Sequence, residues 1–262
     1  MRKIKSFISV LLIFVLVAGA FSGCSGEDIQ TLNSTLDALI ELADLLGEDA
    51  EYPDAEALGE YTWSITTTSG LTAEDIPEYQ GFGYLIVNDN EPFFDESDYT
   101  TEAFETYSEL DGLGRCGAAY ANICEEIMPT EARGDISSVH PSGWHPGTDP
   151  ASWNRCHLIG FQLAGENDNE LNLVTGTRYM NVDGGMLPFE NAVDDYVDET
   201  GHHVLYRVTP IFVGDELVCR GVFMEAYSVE DNGAGVEFCV FCYNVQPGVI
   251  IDYMTGESWY EN

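Results

Sequence analysis

Residues 153–190, WNRCHLIGFQLAGENDNELNLVTGTRYMNVDGGMLPFE, hold most of the chemistry-bearing side chains of this chain in one run. His157 follows Arg155 by two positions, and Arg178, Asn181 and Glu190 come after a stretch rich in glycine and asparagine. Only nine basic residues occur in the chain, three of them within the first five positions, so two arginines in one short segment stand out. A histidine can act as general base near neutral pH, and an arginine can grip a phosphate or carboxylate with two parallel hydrogen bonds. The side-chain oxygens of an asparagine and a glutamate can hold a hard cation. Read from the residues alone, this set points to metal-assisted hydrolysis of a phosphate ester.

Working outward, NRCHLIG at 154–160, NLVTGTRYMN at 172–181 and MLPFENAV at 186–193 together resemble the DNA/RNA non-specific endonuclease family, and within it the secreted streptococcal-type nucleases. The likeness continues through LDGLGRCGAAYA (110–121), MPTEARGDI (128–136), PSGWH (141–145), HVLYRVTPIF (203–212) and YNVQPGVIIDY (243–253), so it spans roughly 78–256. The resemblance implies an α+β chain with the ββα-metal nuclease fold, a central antiparallel sheet flanked by helices. It also implies one Mg²⁺ per site, with Mn²⁺ or another divalent ion able to substitute, and DNA or RNA as substrate. In that family an Asp-Arg-Gly-His signature supplies the general base, which falls on His157, with Arg155 as its arginine. The metal-holding asparagine falls on Asn181, and the acidic residue that orients the ion's waters on Glu190. Arg178 and Asn154 are the expected substrate-side contacts. Asn154 replaces the usual Asp and Cys156 the usual Gly or Ser, and the first change removes a charge that could orient Arg155.

The front of the chain reads as an export signal. Three positive charges lie within Met1–Lys5, Phe7–Ala20 is apolar, and FSGC closes the segment at 21–24. The apolar run is shorter than a membrane span of roughly 20 residues requires. Cys24 sits where a lipoprotein cysteine is modified, which makes the expected product a lipid-anchored surface protein. The chain then divides into a signal (1–24), an N-terminal helix and acidic connector (25–77) and a nuclease domain (78–262). Leu32, Leu36, Leu39, Ala43 and Leu46 form one helical stripe within 27–47, and Tyr61–Thr66 is a short candidate strand. No obligate protein partner is evident.

Within the body, Gly83–Asn88 is expected as a strand, 104–113 and 117–127 as helical pieces, and Ile136–Val139 as a strand. Another helix is expected to start near Gly185. Val204–Phe212, Leu217–Tyr227, Val236–Val245 and Val249–Tyr253 alternate with turn residues and read as an antiparallel meander. Six cysteines follow Cys24, and export permits disulfides, but their spacing fixes no connectivity. Cys156 is adjacent to His157, and neighbours on a strand face opposite ways, which argues for packing rather than a Cys–His nucleophile pair. The same alternation makes His202 and His203 a poor chelate. His140 and His145 flank a turn and are expected near the cleft.

Charge is the objection. The formal net charge is −37, and without Arg2, Lys3 and Lys5 six arginines face 46 carboxylates, a charge of −40 with no lysine. Non-specific nucleic-acid binding ordinarily draws on a basic footprint. A divalent ion with one or two arginines can nevertheless supply a local positive field, because surface repulsion is screened over about 8 Å at physiological salt. The competing expectation is a nuclease-fold surface lipoprotein, catalytically weak or inactive, that serves as a binding module.

Overall fold

β-branched and aromatic residues crowd the last third of the chain, and the main sheet forms there. In a computed structural model of the protein, residues 71–145 and 150–261 are described. The expected signal, Cys24, the 27–47 helix and the Tyr61–Thr66 strand lie outside the described residues. In chain order the regular elements are β1 (Tyr84–Ile86), β2 (Phe104–Tyr107), β3 (Ala119–Ile123), β4 (Trp153–His157), α1 (Phe161–Ala164), β5 (Leu173–Thr177), α2 (Leu187–Thr200), β6 (Val204–Ile211), β7 (Gly221–Ser228), β8 (Glu237–Tyr243), β9 (Val249–Ile251) and β10 (Ser258–Tyr260).

Six strands form one antiparallel sheet in the order β1-β8-β7-β6-β3-β2, while β4 with β5 and β9 with β10 are separate two-stranded ribbons. Strands β7 and β8 are apolar on both faces because both faces are covered. Phe223, Cys239, Phe241 and Tyr243 point to one side, where Leu71, Leu85 and Val87 pack on them. Val222, Met224, Phe238, Val240 and Cys242 point to the other, against α2 and the β4–β5 ribbon. The period of two along each strand sorts the residues into these two cores. Each fully buried large side chain contributes about 1.5–3 kcal/mol.

Helix α2 buries Phe189, Val193 and Val197, spaced four apart along one stripe, and carries Pro188 in its first turn. Gly201 ends it in the left-handed region (φ 68°), with its N–H bonded to the Val197 carbonyl, a conformation that favours glycine.

Several sequence expectations fail here. The segments expected as helices contain instead the paired strands β2 and β3, in register Phe104↔Asn122 to Tyr107↔Ala119. The i, i+3 spacing of Phe104 and Tyr107 suggested a helix, but sheet pairing overrides it. Phe104 packs edge-on to Tyr120 at 4.9 Å, and Asn122 donates to the Thr100 and Glu102 carbonyls. Ile136–Val139 forms no strand, and its main chain serves another role described below. The stretch ahead of β7 also differs: Leu217 and Val218 donate to the Tyr253 carbonyl, so Cys219 precedes the strand. All six cysteines after Cys24 are free and buried. Cys116 and Cys124 flank β3.

Candidate active site

The ribbon β4–β5 is joined to the rest of the molecule by buried amides. Asn172, fully buried, accepts from the Ile159 N–H and donates to the Ile159 carbonyl, which fixes the chain leaving β4. Asn244, also fully buried, accepts from the Thr177 N–H and donates to the Thr175 and Cys219 carbonyls, so it pins β5 to the main-sheet layer. Such amides satisfy ribbon backbone groups that have no strand beside them. Along β4 side chains alternate, which puts Arg155 and His157 on one face and Asn154 and Cys156 on the other. Cys156 has no exposed surface, and its Sγ packs where a side chain at Gly176 would stand.

His157 is 5% exposed, and two contacts at its ring nitrogens fix its tautomer. Its Nε2 lies 2.8 Å from the Asn167 carbonyl, which can only accept, so Nε2 carries the proton. Its Nδ1 lies 3.3 Å from an Arg133 guanidinium nitrogen, which can only donate, so Nδ1 presents its lone pair. Burial lowers the histidine's pKa, and the Arg133 charge lowers it further against the opposing pull of the Asn167 and Glu166 main chain. The ring is a neutral base with the free lone pair aimed at a guanidinium. Arg133 is the site residue that reading by motif left out. It lies in MPTEARGDI at 128–136, and its scarcity in so acidic a chain was the available signal. The same Asn167 accepts the Gly134 N–H through its side chain at 2.6 Å.

Glu190 occupies the first turn of α2 and is 8% exposed. It therefore does not sit on a solvated face of the helix. Desolvation pushes its carboxyl up to about 8, with Arg133 pulling it down and Asp194 pushing it further up. Among the described residues its carboxylate has neither a hydrogen bond nor a direct ion pair. A side chain at Gly160 would place its Cβ 3.0–3.1 Å from this carboxylate, so the glycine keeps room for it. Asn181 lies half-buried in the π-helical turn Tyr179–Asp183, and among the described residues its amide has no hydrogen-bond partner. It does not cap α2, whose N-cap is Met186. A largely buried carboxyl with no direct ion pair among the described residues and an unclaimed amide oxygen fit a hydrated divalent ion, which needs few protein ligands.

The remaining expected residues are placed as follows. Arg155 donates to the Val139 carbonyl and, at 2.8 Å, to the Ser137 carbonyl, and its guanidinium lies 4.0 Å over the Trp144 ring. It therefore holds the loop once expected as a strand. Arg178 and Asp183 form a loose, exposed pair at 3.8 Å. Asn154 donates to the Ser152 carbonyl, away from His157. His140 lines a cavity of about 430 Å³ with Asp168, Asn169 and Glu170, just past Asn167. The His145 ring bonds the Thr255 carbonyl at 2.9 Å. His202 meets the Tyr196 hydroxyl and His203 meets Glu230, so each is held apart from the other.

The other arginines are engaged with carboxylates: Arg115 with Asp111, Arg207 with Glu225 and Arg220 with Glu216. Among the described residues Arg133 forms no ion pair with a carboxylate and points at the general-base candidate. One guanidinium without a carboxylate ion pair thus stands beside His157 and lowers the pKa of Glu190.

The fold is similar to that of NucA from Streptococcus agalactiae with a magnesium ion bound, at 26% identity and a TM-score of 0.61, over 68% of this chain and 89% of that one. The metal-free form of NucA aligns at 26% identity and a TM-score of 0.62, over 72% and 92%. The Sda1 nuclease with bound zinc matches at 29% identity and a TM-score of 0.52, over 60% and 81%. The family model for the DNA/RNA non-specific endonuclease matches residues 96–230, and with just over half its length inside that match this chain belongs to the DNA/RNA non-specific endonuclease family.

Proposed function

We propose that this protein is an exported, divalent-metal-dependent endonuclease that hydrolyses phosphodiester bonds in DNA and RNA with little sequence preference, leaving 5′-phosphate ends. The observation that carries the reading is the His157 ring, with Nε2–H on the Asn167 carbonyl and the Nδ1 lone pair facing Arg133. Nδ1 takes a proton from a water aimed in line at phosphorus, while the Asn167 carbonyl stabilises the ring as it becomes positive. Arg133 donates to the non-bridging phosphate oxygens and stabilises their growing charge. Asn181 and Glu190 are the residues that would hold the ion, Asn181 through its amide oxygen and Glu190 through oriented water. A bound divalent ion supplies Lewis-acid stabilisation of the phosphate and of the leaving 3′-oxygen.

We assign Arg155 to holding the 137–144 loop, with Arg178 as the second phosphate contact once its loose partner lets go. Asn154 acts on the far face of β4, so the missing Asp charge lies away from the base. The apolar run and FSGC box at 1–24 support export, with a lipid anchor on Cys24 that holds the enzyme at the cell surface. The test is digestion of plasmid DNA and of RNA with Mg²⁺, with a chelator, and by His157→Ala. Cleavage is expected with Mg²⁺ alone, and the substitution is expected to lower it by roughly 10²–10⁴-fold. Cleavage untouched by chelation or by the substitution would remove the reading.

A further inference from the structure

We infer that Asn167 is a positioning residue that registers the phosphate-binding Arg133 against the general base His157. The inference rests on the functional reading above and extends it to a residue outside the motif set. Asn167 contacts His157 directly and reaches Arg133 only through the next residue in the chain, Gly134. Its main-chain carbonyl accepts from His157 Nε2 at 2.8 Å, and its side-chain Oδ1 accepts from the Gly134 N–H at 2.6 Å.

Gly134 directly follows Arg133, and residues 131–135 are exposed, with no strand or helix to define their path. The Gly134 N–H is held by the Asn167 side chain, and a Cβ at position 134 would lie 3.3 Å from that same Oδ1. A flexible, solvent-facing arginine otherwise samples many rotamers, and tying its neighbouring peptide to the residue that orients the base removes much of that freedom. One residue thereby sets the tautomer of the ring through its backbone and the reach of the guanidinium through its side chain. The two roles separate experimentally, because a side-chain substitution leaves the carbonyl in place.

The experiment is a double-mutant cycle on the full chain with Mg²⁺ at fixed salt. Asn167→Ala is expected to lower kcat/KM about tenfold, with the acid limb of the pH profile unmoved because the carbonyl still holds His157. Arg133→Ala is expected to lower it by about 10²-fold. In the Arg133→Ala background the further change Asn167→Ala is expected to cost less than twofold, since there is no guanidinium left to place. Asn167→Asp keeps the Oδ1 acceptor and is expected to stay within about threefold of the parent at 0.15 M salt. An equal loss from Asn167→Ala in both backgrounds, a displaced acid limb, or an Asp variant as poor as the Ala variant would overturn the inference. If instead Arg133→Ala alone left cleavage intact, or the parent did not cleave, the functional reading itself would fail, and the two failures are distinguishable.

Discussion

At the scale of single residues the site depends on two ionisable groups pushed away from their usual behaviour by burial. His157 has a lowered pKa, so the neutral base persists below the ordinary value near 6.5. The acid limb of kcat/KM against pH is therefore expected below 6.5, and an Arg133→Ala variant should move it upward. Linkage follows the same sign. The unfolded chain takes up the proton first, so stability falls as pH drops below about 6.5 and levels off below the folded value. Glu190 behaves oppositely. Its carboxyl is raised to about 8, so the folded, metal-free protein retains a proton that the unfolded chain has already released. Stability is then lost as pH rises from about 4.5 through about 8, by at most roughly 5 kcal/mol for the metal-free protein. Glu190→Gln should raise the metal-free melting temperature at pH 8 and abolish the gain in melting temperature on adding Mg²⁺, both measurable by calorimetry.

At the scale of elements, the β4–β5 ribbon must be held in place without a strand pairing to the main sheet. Asn244 satisfies three main-chain groups around that ribbon from a position with no solvent access. Asn244→Leu is expected to cost roughly 2–4 kcal/mol in urea denaturation, because buried backbone groups lose their partners. Activity should fall along with stability, since His157 rides on the loosened ribbon. How far the elements were legible depended on where they pair. The meander β6–β8 could be read because each strand carries its own β-branched, aromatic run. Strands β2 and β3 could not, because their order comes from distant partners: β3 lies between β2 and β6, and Ala119 pairs with Val208. Helical spacing within 104–113 is a local signal that long-range pairing overrides.

For the whole molecule the governing fact is charge. With a formal −37, and with three of the six arginines among the described residues bonded to carboxylates, the described residues present no basic footprint to steer a polyanion inward. A protein that neutralises many phosphates loses affinity steeply with salt, whereas one that neutralises one or two barely responds. Added salt also screens the repulsion between the acidic surface and nucleic acid over about 8 Å near 0.15 M. Initial rates of plasmid cleavage at saturating Mg²⁺ are therefore expected to hold or rise between 0.05 and 0.3 M NaCl. A steady decline across that range would show that the acidity does not control encounter.

The amino-acid sequence by itself determined the family, the antiparallel meander and the identity of His157, Asn181 and Glu190 as candidates, because those signals lie in contiguous motifs and local periodicity. Only the tertiary structure decided which arginine faces the base. Arg155 is near His157 in sequence and on the same strand face, yet its donors go to the 137–139 carbonyls. Arg133, 24 positions away, meets Nδ1 across a folded loop. The burial that raises Glu190 and lowers His157 was likewise invisible in the chain, since desolvation is a property of what packs around a group and not of its neighbours in sequence.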